Sequence, residues 1–313
     1  MFFKNAFRGK NDIWRYVLTV FLSFLAGQAL GAIPYIYVIG RAITRTGNAE
    51  AFENVTDFEA LGISSTIGLI LVVVPFMTGL IGLYIGVKYI HKKKMKDLLT
   101  ATPRFRFGRM FFAGFTWMLL LAIFHTFHLI TEPENYTFSF DSAQFFYLFL
   151  VAFMFLPFQT TYEEIFFRGY LMQGIGVATR NRWLPVVLTS LFFGSLHFLN
   201  PEVNEFGFWI TMPQYIGWGF FLGIIVILDD GLEIAIGTHA ANNIFLSLFV
   251  THKSAALQTN ALFEINELNA LRDMAEFFVS VIIFITVLQL VYRWKTWDKI
   301  FSPLRRPARE PSE

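Results

Sequence analysis

Apolar stretches long enough to cross a lipid bilayer recur along most of this chain, and they constrain its fold more than any other feature. A helix needs about 20 residues to cross a hydrocarbon layer of ~30 Å. Inside that layer the backbone must satisfy its own polar groups, which leaves helices and closed barrels as spanning structures. Runs near 14 to 38, 62 to 90, 109 to 131, 143 to 172, 184 to 200, 212 to 228, 232 to 250 and 274 to 293 predict an all-α, polytopic membrane helical bundle. The expectation is about eight transmembrane helices forming a single integral membrane domain over 1–313. Composition agrees: 39 Phe and 15% charged residues exclude a soluble globular protein, in which about 25% would be charged. The chain has no Cys, which excludes a disulfide framework, an iron–sulfur cluster, a thiol nucleophile and a thiolate zinc site.

Charge placement predicts the orientation. Twenty of the 25 Lys and Arg residues fall in the N-terminal flank, in 88 to 109, at Arg180 and Arg182, and in the tail from Arg293 to Arg309. Cytosolic loops carry such an excess, so both termini are expected in the cytosol. Arg41, Arg45, Lys253 and Arg272 fall in the opposite loops, together with acids that include Glu50, Glu53 and Asp57. Lys4, Arg8, Lys10 and Arg15 precede a first run of full spanning length with no small-residue cleavage site, so no cleavable signal is expected. A compact chain without appended domains points to a multi-pass protein of a bacterial plasma membrane. The basic residues flank spans, so the lipid bilayer is the expected partner and nucleic acid is not. Segment 88 to 108 reads as a surface-lying stretch with Phe105, Phe107 and Phe111 dipping inward, or equally as a plain stop-transfer cluster. Trp14, Trp183, Trp209, Trp294 and Trp297 fall at span ends as interfacial aromatics. Residues 304–313 read as a disordered tail.

Ionisable side chains inside spans cost at least ~2.5 kcal/mol each and are candidates for function by default. The fourth run contains Glu163, Glu164 and Arg168, the fifth His197, and the seventh His239, Asn242 and Asn243. Glu164 and Arg168 are four apart and share a helix face, where they can pair. Glu163 is turned about 100° away and stays free for general acid/base work, with a buried polar clamp as the structural alternative. His239 and Asn243 share a face and present an imidazole and a carboxamide to one point, as an oxyanion stabiliser would. Counted from the basic ends of their spans, Glu163, His197 and His239 lie within roughly 10 Å of one another in depth, so they can converge, with water expected to reach them from the cytosol. His125 and His128 read as interfacial histidines rather than a metal pair. The pairs Gly27/Gly31, Gly82/Gly86 and Gly219/Gly223 read as packing contacts. Asp229, Asp230 and Glu233 read as solvated residues capping the seventh helix.

The sequences EEIFFR at 163 to 168, FGSLH at 193 to 197 and HAANN at 239 to 243 match, in order, the EExxxR, FxxxH and HxxxN motifs of the CPBP family. The chain thus resembles these intramembrane proteases, which include type II CAAX prenyl endopeptidases and bacteriocin-immunity (Abi-like) proteins. The resemblance places the catalytic core at about 143–250. It implies an intramembrane endopeptidase in which Glu163 activates water, His197 helps hold it, and His239 with Asn243 stabilises the oxyanion, with Glu164 and Arg168 in support. It implies a membrane-bound protein or lipidated peptide, such as a prenylated CAAX tail, as substrate. No cofactor is expected; a zinc ion on Glu163, His197 and His239 remains an arithmetical alternative, although no HExxH helix is present. A non-catalytic immunity or binding protein is the competing reading. A proton-coupled transporter is a third, disfavoured because no pair of broken half-helices occurs in matching halves.

Overall fold

The computed structural model describes residues 2–47, 58–295 and 297–306. Glu50, Glu53, Asp57 and the end of the tail from residue 307 lie outside the described residues. The eight apolar runs form helices: α1 Ile13–Arg45, α2 Ser65–Ile90, α3 Phe107–Thr131, α4 Ser142–Thr179, α5 Trp183–Ser195, α6 Phe208–Asp229, α7 Glu233–Phe249 and α8 Ala270–Tyr292. Six are long and apolar enough to cross a membrane; α5 is a shorter apolar helix and α7 has 17 residues. The difference from eight full spans has a local cause. Helix α5 gives way to a turn at His197, then to a short helix Pro201–Phe206 that Gly207 ends at φ 86°. Helix α7 ends where Val250 turns extended and enters strand β2.

Three short strands, β1 Tyr136–Phe138, β2 Val250–His252 and β3 Phe263–Ile265, form a sheet at one end of the bundle in the order β1-β3-β2. Strand β3 runs antiparallel to β1, with Thr137 opposite Glu264, and parallel to β2, with Thr251 opposite Glu264. This sheet end carries Lys253 and Arg272, with Arg41 and Arg45 at the same end of α1; the opposite end carries the clusters of Lys and Arg.

The helices pack through small residues. A Cβ on Gly237 of α7 would lie 2.0 Å from the Met110 carbonyl oxygen of α3, and one on Gly114 of α3 would lie 2.9 Å from the Gly237 oxygen. The anticipated glycine pairs also sit at helix contacts: Gly27 and Gly31 against Pro75, Gly82 against Leu22 and Ala26, Gly86 against Thr19, Gly219 against Ser190 and Gly223 against Val186. Because the backbone of α3 cannot give way like a flexible side chain, Gly237→Ala should destabilise the bundle by about 1–3 kcal/mol. Thermal unfolding in detergent micelles measures this, and an unchanged midpoint would contradict the close crossing.

The basic end is more tightly built than expected. Asp229 and Glu233, read from sequence as solvated caps, are buried. Arg106 reaches Glu233 at 2.7 Å and Asp229 at 2.9 Å, Arg109 pairs with Asp229, and Trp294 donates its indole N–H to Asp229 at 2.9 Å. Trp294 is therefore a buried ligand of this cluster and not an interfacial aromatic. The cause is the segment after α2, which folds beneath the bundle instead of lying free. Its Lys93 is buried, donates to the Ala6 carbonyl at 3.1 Å, and is held down at about 8 by burial. His91 bridges the Lys10 carbonyl and the Tyr170 hydroxyl, and Arg8 pairs with Asp97 at 2.6 Å. Phe107 and Phe111 stay exposed. The chain is packed as far as Leu304, whose buried side chain joins the core while its N–H donates to the Arg180 carbonyl at 2.8 Å.

Candidate active site

Helix α4 carries the acidic pair, and its hydrogen bonding widens to a π-helix over Ile165–Leu171 directly after Glu164. Such widenings are frequent at functional sites because they re-aim the side chains around them. Arg168 lies in this segment and remains on the same face as Glu164, donating to it at 2.9 Å. Both side chains are sealed from solvent, Arg168 being 1% exposed and Glu164 fully buried. Arg168 also lies over the Phe193 ring, 4.5 Å from its centroid.

The same Glu164 oxygen accepts from Nδ1 of His239 on α7 at 2.7 Å. A carboxylate only accepts, so Nδ1 carries the proton and the imidazole plane is fixed. His239 is stacked on Trp218 of α6, ring centroids 5.8 Å apart. Its Nε2 then points to Oε2 of Glu163, 3.7 Å away. Glu163 also accepts a long hydrogen bond of 3.4 Å from Gln159, one turn earlier. The two adjacent carboxylates thus divide their work: Glu164 serves Arg168 and His239, and Glu163 faces the imidazole without a cation of its own.

His197 lies just beyond the end of α5. Its Nδ1 donates to the Phe193 carbonyl at 2.8 Å and its ring stacks on Tyr215 at 4.4 Å, so the orientation is set from two sides. Asn243 is oriented by a relay: Trp117 donates to Asn242 at 3.1 Å, and Asn242 donates to the Asn243 carboxamide oxygen at 3.2 Å. That arrangement leaves the Asn243 amide N–H groups to be offered elsewhere.

Glu163, His197, His239 and Asn243 all line one cavity of about 670 Å³. It runs from the Glu163–His239 level toward the sheet end, where Thr251, His252 and Ala255 form part of its wall. Glu202 also lines it, its carboxyl held above the usual carboxylate range by burial. The sequence led us to expect access from the basic end, and the cavity takes the opposite course. Below His239, residues 231 to 239 are buried without interruption, as are Ile225 to Asp229 on α6. Among the described residues, none of the basic-end segments lines the cavity.

The other candidates separate from this site. His128 donates to or accepts from Glu276 at 2.6 Å, while His125 stacks on Phe245 at 5.5 Å. Among the described residues no three of His, Asp and Glu converge to hold a metal ion. Sequence reasoning did not find Tyr215, Trp218, Trp117 or Gln159. The three aromatics carry no spacing signal, and only the fold shows that they aim the polar groups; Gln159, four residues before Glu163 on the same helix, could have been found from its spacing.

Residues 142–245 match the family model described as type II CAAX prenyl endopeptidase Rce1-like. The chain is 30% identical over 254 residues to an uncharacterized protein of Bacillus subtilis (strain 168), YyaK, covering 81% of this chain and 83% of that one. No solved structure matches.

Proposed function

The chain belongs to the type II CAAX prenyl endopeptidase Rce1-like family, and from that premise we propose that it is an intramembrane endopeptidase whose general base is Glu163. One observation carries the reading: Glu163 is a carboxylate without a cation of its own, set 3.7 Å from an imidazole that a second carboxylate already orients, on the wall of a cavity large enough for an extended peptide. Glu163 takes a proton from water as its oxygen attacks the scissile carbonyl carbon. The carbonyl oxygen becomes an oxyanion, for which Asn243 offers an amide N–H, while His239, held through Nδ1 by Glu164, keeps its Nε2 edge beside Glu163. His197 holds the attacking water. When the C–N bond breaks, Glu163 returns its proton to the leaving amine. Glu164 and Arg168 do not touch the reacting atoms; they position His239. The substrate is a membrane-associated polypeptide, in keeping with apolar walls contributed by Phe24, Phe76 and Phe166.

The test compares protein termini in membranes from cells expressing the wild-type chain and the Glu163→Gln variant at equal level. Termini found only with the wild type support the proposal and name the substrates, including whether they end in a prenylated Cys. Identical termini, with any host phenotype retained in the variant, favour a binding or immunity protein.

A further inference from the structure

We infer that the site receives its substrate from the side of the membrane opposite the cytosol, so that the bond cut lies in an outward-facing segment of a membrane or secreted polypeptide. The inference rests on the proteolytic reading of the site and adds the side and class of its substrate.

Three observations combine. First, the loop charges are sharply divided. The basic end gathers 20 of the 25 Lys and Arg residues, in the N-terminal flank, the segment after α2, Arg180, Arg182 and the residues after α8, whereas the opposite end holds four, Arg41, Arg45, Lys253 and Arg272. Short loops rich in Lys and Arg stay in the cytosol, so the sheet end faces away from it.

Second, the path from the site to the basic end is filled. His239 lies six residues beyond Glu233, about 9 Å along the helix axis. Those turns are packed against buried residues of α6 and closed below by the Arg106, Arg109, Asp229 and Glu233 cluster. Leu98 and Leu232, both buried, complete the seal. A peptide arriving from this side would have to break buried ion pairs.

Third, the cavity that holds Glu163, His197 and His239 continues to the residues after β2 and to the start of α8, where Ala255 and Ala270 line it. These belong to the sheet end. The catalytic groups therefore communicate with the end that the charge distribution places outside.

The native chain has no Cys, so single cysteines report sidedness directly. The probe is a sulfonated, membrane-impermeant maleimide applied to intact cells and to lysed cells. Ala255→Cys reports the cavity, Lys253→Cys the sheet end and Lys295→Cys the basic end; none is part of the catalytic machinery. Ala255→Cys and Lys253→Cys should label to at least half their lysed-cell level in intact cells, while Lys295→Cys should label only after lysis. Labelling of Lys295→Cys in intact cells, or of Lys253→Cys only after lysis, overturns the inference. Failure of Ala255→Cys to label under both conditions overturns it as well, because the cavity would then be closed at that end. The location of Glu163-dependent termini gives a second reading: outward-facing segments support the inference and cytosolic tails overturn it. Labelling as expected with no Glu163-dependent termini would remove the proteolytic reading and leave the access route standing.

Discussion

Glu163→Gln should lower peptide cleavage by about 10²–10⁴-fold, the range that general acid–base catalysis supplies, while leaving the bundle folded. Both halves of that expectation follow from how the two carboxylates divide their partners. Glu163 has no cation of its own: Arg168 and His239 Nδ1 both bind Glu164. Removing the Glu163 charge therefore strands no buried cation, and Gln keeps the size of the side chain and the capacity to hydrogen-bond Gln159. The measurement is the initial cleavage rate of a substrate identified from its new termini, with both proteins reconstituted in lipid vesicles. Thermal unfolding of the same preparations checks the fold. A variant that cuts within a factor of two of the wild type would exclude Glu163 as the base.

Glu164→Ala should have the opposite character, with a loss of stability of about 3–5 kcal/mol, the cost of leaving one member of a buried ion pair alone. Arg168 is 1% exposed and has one further hydrogen bond, to the Trp218 carbonyl at 3.4 Å, which cannot offset its charge. The double replacement Glu164→Leu with Arg168→Leu removes both charges and should recover most of that stability, since apolar residues of similar volume often replace a buried pair at little cost. It should not recover cleavage, because His239 then has no acceptor to fix its Nδ1 proton and ring plane. Denaturant unfolding of the three proteins in micelles, together with their cleavage rates, separates the two roles. If Glu164→Ala unfolds at the same denaturant concentration as the wild type, the pair is not a structural requirement.

Much of this site was legible before the structure because membranes make polar residues conspicuous. A Glu, His or Asn among Phe and Leu must be accounted for, and helical spacing alone paired Glu164 with Arg168 and set Glu163 apart. Spacing on one helix could not show that Glu164 also binds His239, since that contact joins α4 to α7 and depends on how the helices cross. The basic end was misread for a related reason. Asp229 and Glu233 follow an apolar run in a short turn and look solvated, yet the segment containing Arg106 and Arg109 returns from more than a hundred residues away to bury them. Access was misread because a cavity belongs to no single helix. The length of α5 was overestimated because apolar composition continues through the turn after Ser195, where hydrogen bonding, not hydropathy, ends the helix.

The packed layer between His239 and the basic end also has an electrical consequence. A membrane potential falls across whatever separates the two aqueous phases, and one elementary charge crossing the whole of it exchanges about 2.3 kcal/mol per 100 mV. With the cavity reaching the sheet end and the buried turns of α6 and α7 closing the other, most of the drop lies across that thin layer and little across the cavity. Protons that reach Glu163 and His239 by way of the cavity then traverse only a small part of the field. On the proposed reading, the chemistry of the site would follow the acidity of the compartment beyond the sheet end and be insulated from the voltage that an energised membrane maintains.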